Sequence, residues 1–135
     1  MTLVEVMVAL FITGMTVAGV VAGYEFCLAN TTKDSLYMAA NARVMERLEQ
    51  VRSAKWDTAN FSLIDQLSPS NFPDEVVSLD LYARNGNTNL ATIRTQITPI
   101  STSPPIRRIH VDCIWSLNGV QMITNSIETD RAPDQ

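Results

Sequence analysis

An uninterrupted apolar run near the amino terminus constrains this chain more than any other feature. Val6–Gly23 reads VMVALFITGMTVAGVVAG, eighteen residues without a charged side chain. A helix of about 17–25 such residues spans the hydrocarbon core of a bilayer. A secretory signal peptide has basic residues before its apolar segment, and here no Lys or Arg precedes Lys33. The run therefore predicts a transmembrane helix rather than a signal peptide at the start of a precursor.

Glu5 is the one charged residue that precedes this run. An ionised carboxylate within a transmembrane helix costs about 2.5–3.5 kcal/mol or more, so acidic residues at such positions usually have a function. The residues alone leave two interpretations open. Either Glu5 lies at the membrane interface and reaches water, or it has a function within the apolar surroundings.

The residues around Glu5 carry a specific motif. Thr2, Leu3, Val4 and Glu5, followed directly by the apolar helix, resemble the start of mature type IV pilins and type II secretion pseudopilins. In that family an inner-membrane prepilin peptidase removes a short leader and methylates the new terminal residue. The resemblance implies that Met1 is this processed terminus, although most members have Phe there. Beyond the apolar helix the likeness is one of architecture.

The resemblance implies both a fold and a function. The fold would be α+β and pilin-like, with a long N-terminal α-helix whose hydrophobic half protrudes and whose amphipathic half packs on a four-stranded antiparallel β-sheet. The chain would be a structural subunit of an extracellular filament and not an enzyme. Glu5 would pair with the amine of Met1 on an adjacent subunit. Met1, Thr2, Leu3 and Glu5 would thus form the assembly site.

The same resemblance implies partners and a location. The partners would be further copies of the chain, other pilins, the prepilin peptidase and the inner-membrane assembly machinery. The chain would lie in the inner membrane as a single-pass precursor and later in a filament at the cell surface. A major pilin, a minor or initiating pilin and a type II secretion pseudopilin all fit. A single-span membrane protein with a small extracytoplasmic binding head is the alternative from another class.

The rest of the sequence predicts a head that begins with an amphipathic helix. Residues 1–25 would form the hydrophobic helix and residues 26–135 the head, with the helix continuing over 26–53. Apolar residues recur every three or four positions, which indicates one buried helix face: Tyr37, Ala40, Val44, Leu48 and Val51. The charged residues of this segment are expected at the surface: Lys33, Arg43, Glu46, Arg47, Glu49 and Arg52.

Residues 54–75 are predicted to form a connecting loop. Pro69 and Pro73 exclude a long helix, because proline lacks the N–H that a helix interior needs. A short helical turn is expected near Leu63–Leu67. The aromatic residues of this segment are expected to pack in the core rather than to bind a ligand: Trp56, Phe61 and Phe72.

Residues 76–127 alternate in the manner of a β-sheet. The first hairpin would comprise strands at Val76–Ala83 and Leu90–Ile97, joined at Asn85-Gly86. The residues expected to face the core in these two strands are Val77, Leu79, Leu81, Ala91, Ile93, Thr95 and Ile97.

The second hairpin would comprise strands at Arg107–Leu117 and Val120–Ile127, joined at Asn118-Gly119. Thr98–Pro105, with three prolines, is predicted to be a loop. The tail 128–135 is expected to fray or to lie along the surface. The core residues of the third strand would be Ile109, Val111, Cys113, Trp115 and Leu117.

Residue types that carry chemistry are sparse in this sequence. Ten Lys and Arg against fourteen Asp and Glu give a net charge of −4 without a basic patch, so a nucleic-acid partner is not expected. The single His110 is predicted on the face opposite Val111 and Cys113. One His and two Cys do not provide a zinc or haem spacing. Phosphate loops and serine elbows are also lacking, so no catalytic residue, metal or cofactor is predicted.

The two cysteines allow one disulfide outside the inner membrane, where the compartment is oxidising. Cys27 lies about 100° around the helix from Phe26, which is in line with the buried stripe. Cys113, on the predicted third strand, is expected to face the core. Its neighbours on the helix would lie beyond Cys27, near Tyr37 to Leu48. We therefore expect Cys27 to act as a small hydrophobic residue in the filament core. A Cys27–Cys113 bond is the alternative, and a mass shift of the intact chain upon reduction would reveal it.

Three glycines, Gly14, Gly19 and Gly23, interrupt the apolar helix. Each costs about 1 kcal/mol relative to Ala in a helix, but a membrane enforces the helix because free backbone groups find no water there. We predict that the stretch between Gly14 and Gly23 becomes extended or irregular in the assembled filament, as it does in several pilin relatives. Those relatives often have a Pro at the position of Ala22. A filament structure with unbroken helical hydrogen bonds from Thr2 to Arg52 would leave close helix packing as the role of the glycines.

Overall fold

The computed structural model describes residues 2–58, 63–80, 89–117, 119 and 121–134. It confirms the predicted α+β fold, in which one long N-terminal helix precedes and packs on a four-stranded antiparallel sheet. The elements are α1 (Leu3–Ser53), β1 (Trp56–Asp57), β2 (Ile64–Asp65), a 3₁₀ turn (Pro69–Asn71), β3 (Glu75–Ser78), β4 (Leu90–Thr102), β5 (Pro105–Leu117) and β6 (Gln121–Arg131). The sheet order is β3-β4-β5-β6, a meander in which each strand pairs with the next.

The chain divides into two compact units, Met1–Ser35 and Leu36–Gln135. The described part of the first unit is helical from Leu3 onward. Two threonines within its apolar run bond back to the helix: Thr13 Oγ1 donates to the carbonyl of Ala9 at 2.8 Å, and Thr16 Oγ1 to that of Thr13 at 2.8 Å. These local bonds satisfy hydroxyl groups that would otherwise lack partners in an apolar environment.

The core of the second unit lies between the inner face of the sheet and the last turns of α1. The predicted helix stripe is confirmed, because Ala40, Val44, Leu48 and Val51 are all buried. Tyr37 is half-buried and meets Trp115 edge to face, with ring centroids 5.2 Å apart. The predicted inner face of the sheet is confirmed by the buried residues Leu79, Ala91, Ile93, Thr95, Ile109, Val111, Cys113 and Trp115, and Val77, Ile97 and Leu117 are half-buried.

A polar relay joins the sheet to the helix inside this unit. The indole N–H of Trp115 donates to Asn125 Oδ1 at 2.9 Å, and Asn125 Nδ2 donates to Asn41 Oδ1 at 2.8 Å. Because a buried indole N–H without an acceptor is costly, Asn125 satisfies Trp115 and holds β6 against α1.

Arg47 departs from its predicted surface position, since it is only 7% exposed. Its Nη2 donates to Glu75 Oε2 at 2.9 Å and to the carbonyl of Pro73 at 3.2 Å, and its Nη1 donates to Gln50 Oε1 at 3.2 Å. The guanidinium can be buried because these acceptors replace its water. Pro73 and Glu75 come from a distant part of the sequence, and helical periodicity does not reveal such contacts.

The prediction of a loop over Thr98–Pro105 is wrong. β4 continues to Thr102 and β5 begins at Pro105, so the two strands meet in a tight turn. Pro99 pairs with Arg107 in the ladder, and the register shifts between Pro99 and Ser101. This irregularity places the proline where a regular ladder hydrogen bond is not required.

The helical turn predicted near Leu63–Leu67 is also wrong. Ile64–Asp65 forms β2, which pairs antiparallel with Trp56–Asp57. A 3₁₀ turn occurs instead at Pro69–Asn71, where proline is favourable at the first helical position. Trp56 and Phe72 are buried, as predicted for packing residues. Phe61 lies outside the described residues.

The hairpins follow the prediction where the structure describes them. β3 ends at Ser78, so the predicted strand is wrong at Leu79 and Asp80, although the N–H of Leu79 still donates to the carbonyl of Asn89 at 2.9 Å. Residues 81–83, including Leu81, and the Asn85-Gly86 turn lie outside the described residues. Leu117 pairs with Gln121, and Gly119 between them has φ 71°, a conformation that favours glycine. Asn118 itself is outside the described residues.

The prediction for the tail is wrong over residues 128–131, because β6 extends to Arg131. Beyond the strand, Asp134 accepts the backbone N–H of Trp56 at 2.8 Å through Oδ2 and donates its own N–H to the Trp56 carbonyl at 2.7 Å. Arg131 Nη1 donates to the carbonyl of Val51 at 2.8 Å, near the end of α1. The tail is therefore held by hydrogen bonds to the end of the helix and the residues that follow it.

The core predicts the effect of truncation on stability. Leu48 is 1% exposed, so Leu48→Ala should lower the free energy of unfolding of the full chain by about 2–5 kcal/mol. Met38 on the same helix is 73% exposed, and Met38→Ala should change it by less than about 0.5 kcal/mol. Denaturant titration of both variants in detergent gives the comparison, and equal losses would show that Leu48 is not a core residue.

Candidate assembly site

Thr2 and Glu5 form a hydrogen-bonded cap at the start of α1. The backbone N–H of Thr2 donates to Glu5 Oε2 at 3.0 Å, and Thr2 Oγ1 lies 3.4 Å from the same oxygen. The carbonyl of Thr2 accepts the N–H of Val6, so Thr2 is the residue that begins the helical hydrogen bonding. A glutamate three positions beyond such a residue reaches back to it in a capping box, and its charge is favourable at the positive end of the helix dipole.

This arrangement shows what Glu5 does within one chain. Both contacts use Oε2, and among the described residues Oε1 has no hydrogen bond, so it can accept a further donor. Leu3 beside it is 78% exposed. Met1 lies outside the described residues. The structure thus brings Thr2, Leu3 and Glu5 together at the end of the helix.

The apolar run that follows is entirely exposed in the isolated chain. An 18-residue window near the N-terminus of α1 is long and apolar enough to cross a membrane, and none of it is buried. This helix is compatible with a single-pass membrane anchor. A Cβ placed on Gly14, Gly19 or Gly23 would meet nothing within 4 Å. These glycines are therefore not required for packing within one chain, and their predicted unwinding in a filament stays a prediction.

The two cysteines are both free thiols in this structure. Cys27 is exposed on α1, whereas Cys113 is buried in the sheet. Burial raises the pKa of the Cys113 thiol, which lowers its reactivity because the thiolate is the nucleophile. The expectation that Cys27 lies in a filament core remains a prediction.

Arg107 lies in the strongest polar cluster of the head. Its two terminal nitrogens each lie 2.7 Å from an oxygen of Asp65, Nη1 also donates to the carbonyl of Leu67 at 2.6 Å, and the guanidinium carbon stands 4.4 Å from the ring centroid of Trp56. The hydrogen bond to Arg107 lowers the pKa of Asp65, and the same bond raises the pKa of Arg107. Sequence analysis missed this pair, because its residues are 42 positions apart.

An open groove of about 290 Å³ lies next to this pair. Its walls combine apolar and polar residues: Asp65, Leu67, Ser68, Pro69, Ile97, Pro99 and Arg107. Because the Asp65 and Arg107 charges compensate each other, the groove has no strong preference for a charged ligand.

The outer face of the sheet carries an ionic ladder over β5 and β6. Arg108 Nε lies 2.8 Å from Glu128 Oε1 and 3.0 Å from Asp130 Oδ1. His110 is partly exposed on this face, as predicted, with Nε2 2.9 Å from Asp112 Oδ1 and Nδ1 3.4 Å from Glu128 Oε2. The residues that the structure describes contain no group of three or more His, Cys, Asp or Glu placed to hold a metal ion.

Comparison with protein-family models, curated proteins and solved structures yields no match to this chain. Its function is therefore argued from the geometry of its own residues.

The Asp65–Arg107 pair predicts a pH-dependent contribution to stability. A carboxyl group whose folded-state pKa is depressed stabilises the fold above its unfolded pKa, ordinarily 3.8, and this contribution is lost as pH falls through the folded-state value. Asp65→Asn should therefore lower the melting temperature at about pH 6, and the difference from wild type should vanish towards about pH 2. Asp134 also has a lowered pKa, but it is present in both proteins and cancels in the comparison. A difference that is constant over this range would contradict the assignment.

Proposed function

We propose that this chain is a structural subunit of an extracellular type IV pilus-like filament, and that it resides in the inner membrane as a single-pass protein before assembly. The observation that carries this proposal is the apolar half of α1, which is uncharged over eighteen residues and fully exposed in the isolated chain, with a carboxylate at its start. The subunit has a structural role and is not an enzyme.

Exposure of an apolar helix to water is unfavourable, so another apolar surface must cover it. Burial of apolar surface contributes about 25 cal/mol per Å², and a helix that is apolar all round is normally buried on all sides. A bilayer covers it before assembly, and the same helices of neighbouring copies cover it in a filament. The small residues Gly14, Gly19 and Gly23 let such helices approach closely.

Glu5 then sets the position of each helix relative to its neighbour. Its Oε2 accepts a hydrogen bond from Thr2 of the same chain. In the filament, its Oε1 accepts a hydrogen bond from the terminal amine of Met1 on the adjacent subunit. A buried charge without a partner is strongly unfavourable, so a helix that slips along its neighbour loses this pair and is destabilised. The contact therefore provides register, and the apolar surface provides the main stabilisation.

Assembly of a filament of this class requires several partners. They are further copies of the chain, other pilins, a prepilin peptidase that exposes and methylates the terminal amine, and inner-membrane assembly proteins. A type II secretion pseudopilin or a minor or initiating pilin uses the same helix. The alternative of another class is a membrane-anchored protein with a small extracytoplasmic binding head that acts without assembly, and the groove beside Arg107 is a cavity available to it.

The proposal predicts the effect of removing the Glu5 charge. Glu5→Ala and Glu5→Gln should lower the amount of the chain in sheared filaments by at least about tenfold, because an unpaired buried charge costs about 3–5 kcal/mol. The chain should still insert into the membrane, because the apolar run is unchanged. The measurement is quantitative immunoblotting of sheared and membrane fractions from the native host.

Glu25→Ala is the matched control, since Glu25 is an exposed carboxylate on the same helix but lies beyond the apolar run. It should leave the filament yield unchanged. Normal yield from Glu5→Ala would contradict the assembly role of Glu5. Accumulation of the wild-type chain in the membrane fraction alone would instead favour the binding head.

A further inference from the structure

The outermost strand of the sheet, β6, is long and regular and carries no strand on its outer edge within the described residues. It pairs with β5 in continuous register from Arg107↔Arg131 to Leu117↔Gln121. An edge strand exposes unpaired backbone N–H and C=O groups, which form a template for another strand. Proteins usually protect such edges with prolines, bulges, charges or short strands.

Half of β6 lacks these protective features. Gln121–Ile127 reads QMITNSI, without proline, glycine or charge, and its Ile123, Thr124 and Ile127 are residue types that favour strands. The opposite edge differs, because β3 has only four residues and follows Pro73, which cannot donate a hydrogen bond. The sheet therefore has one protected edge and one open edge.

We propose that the open edge binds β6 of a second copy of this chain, antiparallel and centred on Asn125, to give a continuous sheet across two heads. The proposal is independent of the filament function. A two-fold pair closes upon itself and does not propagate, so this contact is separate from the packing of the apolar helices.

The charges of β6 favour this antiparallel arrangement over others. Glu128 and Asp130 lie together at one end of the strand. Centring the pair on Asn125 places the two Glu128 residues six positions apart, about 20 Å, which exceeds the screening length of about 8 Å at physiological salt. A parallel pair in register would place like charges side by side. Antiparallel pairing with β3 of a second copy would place the start of β3 opposite the end of β6 and bring Glu128 towards its Asp74 and Glu75.

The side chains of β6 are complementary in the same register. Ile123 would lie opposite Ile127, both on the inner face of the sheet, where Ile127 is only partly buried in the single chain. Thr124 would lie opposite Ser126 on the outer face, where both are exposed. Opposed β-branched apolar pairs and small hydroxyl pairs both stabilise antiparallel strands.

Disulfide crosslinking tests the register directly. Cys27→Ser removes the exposed thiol from the full chain, and Cys113 is buried and does not interfere. In this background, chains with Thr124→Cys are mixed with chains with Ser126→Cys in detergent and oxidised mildly. Opposed residues have Cα atoms about 4.5–5.5 Å apart, which suits a disulfide, whereas two copies of Thr124 would be about 8 Å apart.

The mixture should therefore form covalent dimers at least about tenfold faster than Thr124→Cys alone. Gln96→Cys is the matched control, because it is exposed on the outer face but belongs to the inner strand β4. Crosslinking no faster than in this control would overturn the proposal. Equal rates for the mixture and for Thr124→Cys alone would overturn it as well, since they would indicate a different register or partner strand.

Discussion

The packing of α1 on the inner face of the sheet is the interaction on which the rest of the head depends. Four strands with one apolar face need a cover, and Ala40, Val44, Leu48 and Val51 provide it. At the end of the same helix, the carbonyl of Val51 accepts a hydrogen bond from Arg131. Asn41 accepts a hydrogen bond from Asn125, which in turn accepts the indole N–H of Trp115. The strands, the tail and the buried indole are thus all held through one helix, so weakening this face should loosen the whole head.

A second constraint applies to the other part of the helix, where no face is buried. The apolar half has no core of its own, and its length and composition are compatible with a single-pass membrane anchor. The Thr2–Glu5 cap completes the helix start within one chain and still leaves a carboxylate oxygen for a partner. In the proposed filament, the second half of α1 therefore packs on the sheet of the same subunit, and the first half packs on neighbouring subunits.

Much of this fold follows from local patterns in the sequence. The helical stripe at Tyr37–Val51 and the alternation at Ile109–Leu117 were predictable because each covers one apolar face of a regular element. The errors share a cause, which is contact between two segments that the local pattern of neither segment reveals. Pro99 enters a strand because Arg107 lies opposite it, Ile64–Asp65 becomes a strand because Trp56–Asp57 pairs with it, and Arg47 is buried because Glu75 and Pro73 surround it. At the candidate assembly site, the sequence motif indicated Thr2 and Glu5, and the structure adds the hydrogen bond from the Thr2 N–H to Glu5 Oε2, which the motif alone did not reveal.

The central claim is that the exposed apolar helix is covered by other copies of this chain outside the cell. Immunogold electron microscopy of sheared surface material, with antibodies against the head, tests this most directly. The account predicts thin filaments labelled along their length, or at their tips if the chain is a minor or initiating subunit. Unlabelled filaments, together with label confined to the inner membrane, would contradict it.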